Sequence, residues 1–195
     1  ASVGRLSKAE DADVFFYTKQ REDDSPDYFT TGENFGSEKQ ITNTNPQQDD
    51  YYWAGAELIT YTNDRGEELQ GKLLYPENYQ RGRKYPMVVY IYELRSQSLH
   101  SYTTPRKDSA YNQRRFSAEG YFVFEPDITY RLNDPGMSAV ECVVPAVKHM
   151  IGTGMIAEDR IGIMGHSWGA YQTSFLVTQT DVFGAAVAGA PLINM

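Results

Sequence analysis

GIMGHSWGAYQTS, residues 162–174, is the stretch that decides how this chain is read. Its centre, Gly165-His166-Ser167-Trp168-Gly169, has the form G-x-S-x-G, which carries meaning where a strand runs in and a helix runs out. RIGIMG (160–165) is short and apolar, as a buried strand should be, and WGAYQTSFLVTQT (168–180) has helical spacing. Glycines on both sides of Ser167 permit a sharp turn that projects the hydroxyl and lets strand and helix approach closely. The helix start behind it offers amide hydrogens and a partial positive charge to a developing oxyanion. Ser167 is therefore the candidate nucleophile.

A serine of this kind needs a base, and in such sheets the acid and histidine follow the serine along the chain. Only 28 residues follow Ser167, and none is histidine. His100, His149 and His166 precede or abut the serine and read as core or surface residues. Asp127 ends an earlier strand and reads as a loop or cap residue. The expectation is a chain that stops before its acid and base.

Working outward, YFVFEPD (121–127) and YPMVVYIYE (85–93) are nearly continuous apolar runs, the mark of strands covered on both faces. SAYNQRRFSAEG predicts a short helix ending on Gly120. PGMSAVECVVPAVKHMIGTG (135–154) has helical spacing, with Pro145 expected to kink it. GAAVAGAP (184–191) adds a fourth strand, so strands and helices alternate as in a parallel α/β sheet. GAELITYT (55–62) and EELQGKLLY (67–75) flank NDRG and predict a hairpin in front of it. Residues 1–48 differ in texture. DVFFYTKQ (13–20), DYFTT (27–31) and KQITN (39–43) predict short strands between polar turns, and NPQQDD (45–50) reads as a linker.

Composition sets outer limits. At 41% hydrophobic and 13% aromatic residues, the chain can build a core, so wholesale disorder is excluded. A net charge of −8 argues against nucleic acid and anionic membranes as partners. No apolar run is long enough for a membrane span, and the first residues lack the apolar core of a signal peptide. The single Cys142 sits in apolar AVECVVPAV and reads as a buried, inert thiol. No His/Cys cluster has zinc spacing, so neither metal nor cofactor is expected.

GHSWGAYQTS, with DRIGIMG before it and AAVAGAP after it, resembles the nucleophile region of the prolyl oligopeptidase family of serine peptidases, the dipeptidyl peptidase IV branch especially. KYPMVVYIYE is similar to that family's strand whose last tyrosine donates its hydroxyl to the oxyanion, here Tyr92. GYFVFEPDITYR resembles the next strand, and SPDYFTTG with KQITNTNP resembles the last blade of the family's β-propeller. The resemblance implies a partial α/β-hydrolase fold, a mostly parallel sheet with an N-terminal hairpin, preceded by a β-propeller blade remnant. Residues 1–48 would be the blade, and 49–195 the front of a catalytic domain, truncated before its Asp and His.

The resemblance also implies roles. Ser167 matches the nucleophile, and the Trp168 amide would join Tyr92 in the oxyanion hole. The Trp168 ring and Leu192 would wall a pocket for a small residue such as proline. Glu93 and Leu94 stand where the family has a glycine pair, and Ala170 replaces the second glycine after the turn. The implied activity is hydrolysis of short peptides through an acyl-enzyme, this chain alone being inactive. The alternatives are an esterase or acyl-peptide hydrolase, since the same turn serves any acyl transfer, or a catalytically silent binding scaffold. Beyond a peptide substrate, the partners to expect are the missing C-terminal part of the same protein or a second copy of the chain. The resemblance favours a periplasmic or secreted protein and leaves a cytoplasmic one open.

Overall fold

Residues 1–51, 53 and 55–192 are described by a computed structural model, which divides into two compact units. The first comprises Ala1–Trp53 with Leu99–Thr103, the second Ala54–Ser98 with Thr104–Met195.

The first unit is an antiparallel sheet of four strands in chain order: β1 (Ser2–Lys8), β2 (Val14–Arg21), β3 (Asp24–Gly32) and β4 (Lys39–Gln40). The turn expected after Arg21 is tight, because β3 begins already at Asp24 and its Asp24 pairs with Arg21. β4 is shorter than KQITN suggested, for a side-chain reason. The buried Asp27 carboxylate accepts from Thr42 Oγ1 (2.7 Å), Gln40 Nε2 (2.9 Å) and the Thr44 amide (2.8 Å). Those bonds hold residues 40–44 where ladder bonds would otherwise run. The expected linker is a 3-10 turn, Pro46–Asp50, and its Gln48 bonds the Ser25 amide and Asp24.

The second unit is mixed α/β. Its elements are β5 (Ala56–Thr62), β6 (Glu68–Leu74), β7 (Tyr85–Ile91), α1 (Gln113–Ala118), β8 (Phe122–Pro126), α2 (Pro135–Gly152), β9 (Ile156–His166), α3 (Trp168–Leu176) and β10 (Ala185–Gly189). The six strands lie in the order β10-β9-β7-β8-β6-β5. β10, β9, β7 and β8 run parallel, while β6 and β5 complete the sheet antiparallel. The predicted hairpin is the β5–β6 pair, with Gly66 at φ 78° in its turn. Met87, Val89 and Ile91 of β7 and Phe122, Val123 and Phe124 of β8 are fully enclosed, as central strands of a covered sheet should be. Ala139, Cys142, Val143, Val147 and Met150 of α2 close over them.

α2 runs unbroken through Pro145. A proline leaves the carbonyl four residues earlier without its helical donor. That carbonyl, Glu141 O, accepts instead from the Asp64 amide in the β5–β6 turn (3.0 Å), so the freed acceptor docks the hairpin on the helix. α3 ends at Leu176 rather than 180, its last turn closing with i→i+3 bonds from Thr178 to Phe175 and from Gln179 to Leu176. The parallel order brings the C-terminal ends of β7, β8 and β9 together at one rim of the sheet, where ligands bind in open α/β sheets.

Candidate active site

Ser167 lies between the last residue of β9 and the first of α3. Its backbone has φ 54° and ψ −112°, a conformation that L-residues rarely adopt and that costs of order 1–3 kcal/mol. The surroundings hold it there. The Ser167 amide donates to Gly189 O (2.9 Å), and Ser167 O accepts from the Ala170 and Tyr171 amides (3.0 and 3.1 Å). The side chain makes no capping bond to the helix, so the hydroxyl is not consumed by structure.

Both glycines of the turn are required by close approach. A Cβ on Gly165 would lie inside the Gly169 carbonyl, and a Cβ on Gly169 would overlap Ile91 O at the end of β7. The same Gly169 position is 3.6 Å from Tyr92 Cα, so the helix start seats directly against the tyrosine expected to serve the oxyanion. Trp168 is the first residue of α3, and its amide hydrogen has no acceptor within the helix.

Tyr92 is 38% exposed, and the segment after it is clamped. Glu93 O accepts from the Ile128 amide (3.1 Å), and Asp127 Oδ1 accepts from the Arg95 and Ser96 amides (2.5 and 2.8 Å). Asp127 Oδ2 takes the Ser96 hydroxyl (2.6 Å). Arg95 reaches the fully buried Glu125 through Nε (2.7 Å) and Nη2 (2.5 Å), with Lys72 Nζ at 3.7 Å on the other carboxylate oxygen. The Arg95 guanidinium also lies 5.2 Å from the Tyr90 ring, which burial pushes towards a higher pKa despite that positive neighbour. Thus Glu93, Leu94 and Arg95 follow a course set by β8 and its exit.

The Trp168 indole donates to Tyr130 Oη (2.9 Å) and stacks on Tyr171 at 5.1 Å. Tyr130 donates in turn to Tyr92 O (3.0 Å) and accepts from Gln172 Nε2. Burial pushes the Tyr130 phenol up to about 12, against the pull of the two donors, so it stays neutral at any ordinary pH. Trp168, Tyr171, Tyr130 and Leu132 border an open hollow of about 860 Å³.

Residues 132–195 match the family model of the prolyl oligopeptidase family. Dipeptidyl peptidase 8 of mouse and of human is 28% identical over 153 residues, covering 70% of this chain. The chain spans only 17% and 16% of those two proteins. Among solved structures, dipeptidyl peptidase 4 of Porphyromonas gingivalis superposes with a TM-score of 0.76 at 17% identity, over 96% of this chain and 28% of that one. An acylaminoacyl peptidase of Pyrococcus horikoshii gives 0.73 at 17% identity, over 94% and 30%. At such identities the structural likeness is one of fold, and it agrees with the mixed α/β sheet seen here.

Of the residues singled out in the sequence, Ser167, Trp168 and Tyr92 converge at the rim. Leu192 follows β10, is 52% exposed, and does not border the hollow beside Trp168. His100, His149 and His166 are all exposed, and the His166 ring faces Tyr111 at 5.3 Å. Among the described residues no group of His, Cys, Asp or Glu could hold a metal ion, and no helix is long and apolar enough to cross a membrane. Asp127, read as a loop or cap residue, caps the Arg95 and Ser96 amides, whereas Tyr130, Gln172 and the Arg95–Glu125 pair escaped the sequence reading. A lone tyrosine and glutamine carry no spacing signal, and only the meeting of β7, β8 and α3 gives them a role.

Proposed function

We propose that this chain is the front of a serine peptidase catalytic domain in which Ser167 is the nucleophile. The observation that carries the reading is the strained Ser167 backbone, held at a strand-to-helix turn with its hydroxyl uncommitted. Ser167 Oγ attacks the acyl carbon of a peptide bond and its proton passes to a histidine. The tetrahedral oxyanion takes hydrogen bonds from the Tyr92 hydroxyl and the Trp168 amide. The amine leaves with the proton, and water then releases the acyl group from Ser167. The acid and histidine come from sequence after residue 195, in line with the small share of its relatives that the chain spans. The Trp168 ring walls a pocket for a small residue such as proline.

The four-stranded antiparallel first unit supports its assignment as a propeller blade, since blades are sheets of that size. The second unit ends in β10, which pairs only with β9 among the described strands. The remaining sequence of the same protein, or a second copy of the chain, would cover that edge.

The test is reaction with a fluorophosphonate probe in the longest natural chain that contains this sequence. Labelling that disappears in Ser167→Ala, while the melting temperature is kept, supports the reading. A folded protein that never labels would leave the silent scaffold. Faster turnover of simple acyl esters than of proline-containing peptide amides would favour the esterase. The 195-residue chain alone should show at most the residual catalysis left when triad members are removed, roughly 10³–10⁴ over water.

A further inference from the structure

The Tyr130 hydroxyl has one hydrogen and two lone pairs, and all are used. It donates to the Tyr92 carbonyl and accepts from the Trp168 indole and the Gln172 amide. One oxygen atom therefore joins the exit of β7, the segment after β8 and the first two turns of α3. Tyr92 is gripped from both directions. Its carbonyl is held by Tyr130, the next carbonyl by the Ile128 amide, and its Cα rests against Gly169.

Gln172 shows that more than packing is at stake. It is fully buried, and its Oε1 has no hydrogen-bond partner among the described residues. A buried, unpartnered carbonyl is costly, and an apolar side chain of the same shape would be the more stable choice there. Residues that break a local rule of this kind tend to serve a site. What Gln172 does is hold the Tyr130 hydroxyl from beneath.

We infer that Tyr130 is a positioning residue which sets the oxyanion-binding Tyr92 through its backbone carbonyl. The inference rests on the proposed roles of Ser167 and Tyr92. Tyr130 touches no substrate atom in this scheme, and its effect passes through Tyr92.

The experiment is a double-mutant cycle read as the rate constant of fluorophosphonate labelling, in the longest natural chain containing this sequence. Tyr92→Phe should slow labelling by roughly 10²–10³, as for other oxyanion donors. Tyr130→Phe should slow it by about tenfold, less than the 10² that a full ångström of misplacement can cost. In the Tyr92→Phe background, Tyr130→Phe should add nothing, because the group it positions is gone. Tyr130→Phe leaves the Gln172 amide unpaired and lowers stability, so Tyr130→Phe/Gln172→Met is measured beside it. Removing both partners should restore the melting temperature while the slow labelling persists, which a purely structural role would not produce. Wild-type protein that labels, with Tyr130→Phe at the wild-type rate, overturns this inference alone. So does an undiminished loss in the Tyr92→Phe background. Wild-type protein that folds and does not label removes the reading of Ser167, and this inference with it.

Discussion

Gly169→Ala is the sharpest single test of how the site is built. The added methyl would overlap Ile91 O, a backbone atom of a central strand paired on both sides, which cannot turn aside as a side chain could. Helix α3 must therefore move away from β7, by about 1 Å to reach ordinary contact, and a shift of that size can cost roughly 10² in rate. Overpacking of this kind costs about 1–3 kcal/mol. The better helix propensity of alanine returns roughly 0.8–1.0 kcal/mol. The net loss should be about 0–2 kcal/mol, with each kcal/mol lowering the melting point by roughly 2–4 °C for a unit of this size. Gly152→Ala is the control, because it makes the same change in a helix with nothing within 4 Å of the new methyl. It should hold or raise stability, by up to about 1 kcal/mol. The assay pairs thermal unfolding with fluorophosphonate labelling in both variants. A Gly169→Ala protein that melts with the wild type and labels at its rate would refute the claim that Gly169 seats the helix against Tyr92.

Ser167→Gly should abolish labelling yet stabilise the fold by about 1 kcal/mol, because glycine relieves the strained backbone and gives back only part of that gain as unfolded-state entropy. A loss of melting temperature in Ser167→Gly would mean that no strain is stored there. Arg95→Leu should cost about 3 kcal/mol, the lower end for a broken buried ion pair, since Lys72 still faces the Glu125 carboxylate. Urea melts read this as a lower midpoint at unchanged slope. The Tyr130 phenol is raised from 10.0 to about 12, so its contribution to stability is fully present below pH 10 and is lost as pH rises through 12. The stability difference between wild type and Tyr130→Phe should accordingly stay constant to pH 10 and shrink above it; a difference that collapses at lower pH contradicts the assignment.

Local pattern determined a large share of this protein. The continuous apolar runs at 85–91 and 122–126 could only be strands covered on both faces, and NDRG between alternating segments could only close a hairpin. G-x-S-x-G, set between a strand and a helix, located Ser167 without any tertiary knowledge, because its two glycines answer steric demands that any such turn imposes. Where distant elements meet, local pattern said nothing. The shortness of β4 follows from the Asp27 carboxylate, which takes over bonds that a ladder would have made. The continuity of α2 through Pro145 depends on the Asp64 amide, contributed from 77 residues earlier by a hairpin docked on the helix. The course of Glu93, Leu94 and Arg95 was illegible because its determinants, Glu125, Asp127 and Ile128, lie on another strand and its exit. Tyr130 and Gln172 acquire meaning only because the parallel order sets β7 between β8 and β9, bringing one hydroxyl within reach of Tyr92, Trp168 and Gln172 together. Hydrophobic period and turn chemistry are encoded over a few residues, whereas a hydrogen-bonded junction of three elements exists only once the sheet has assembled.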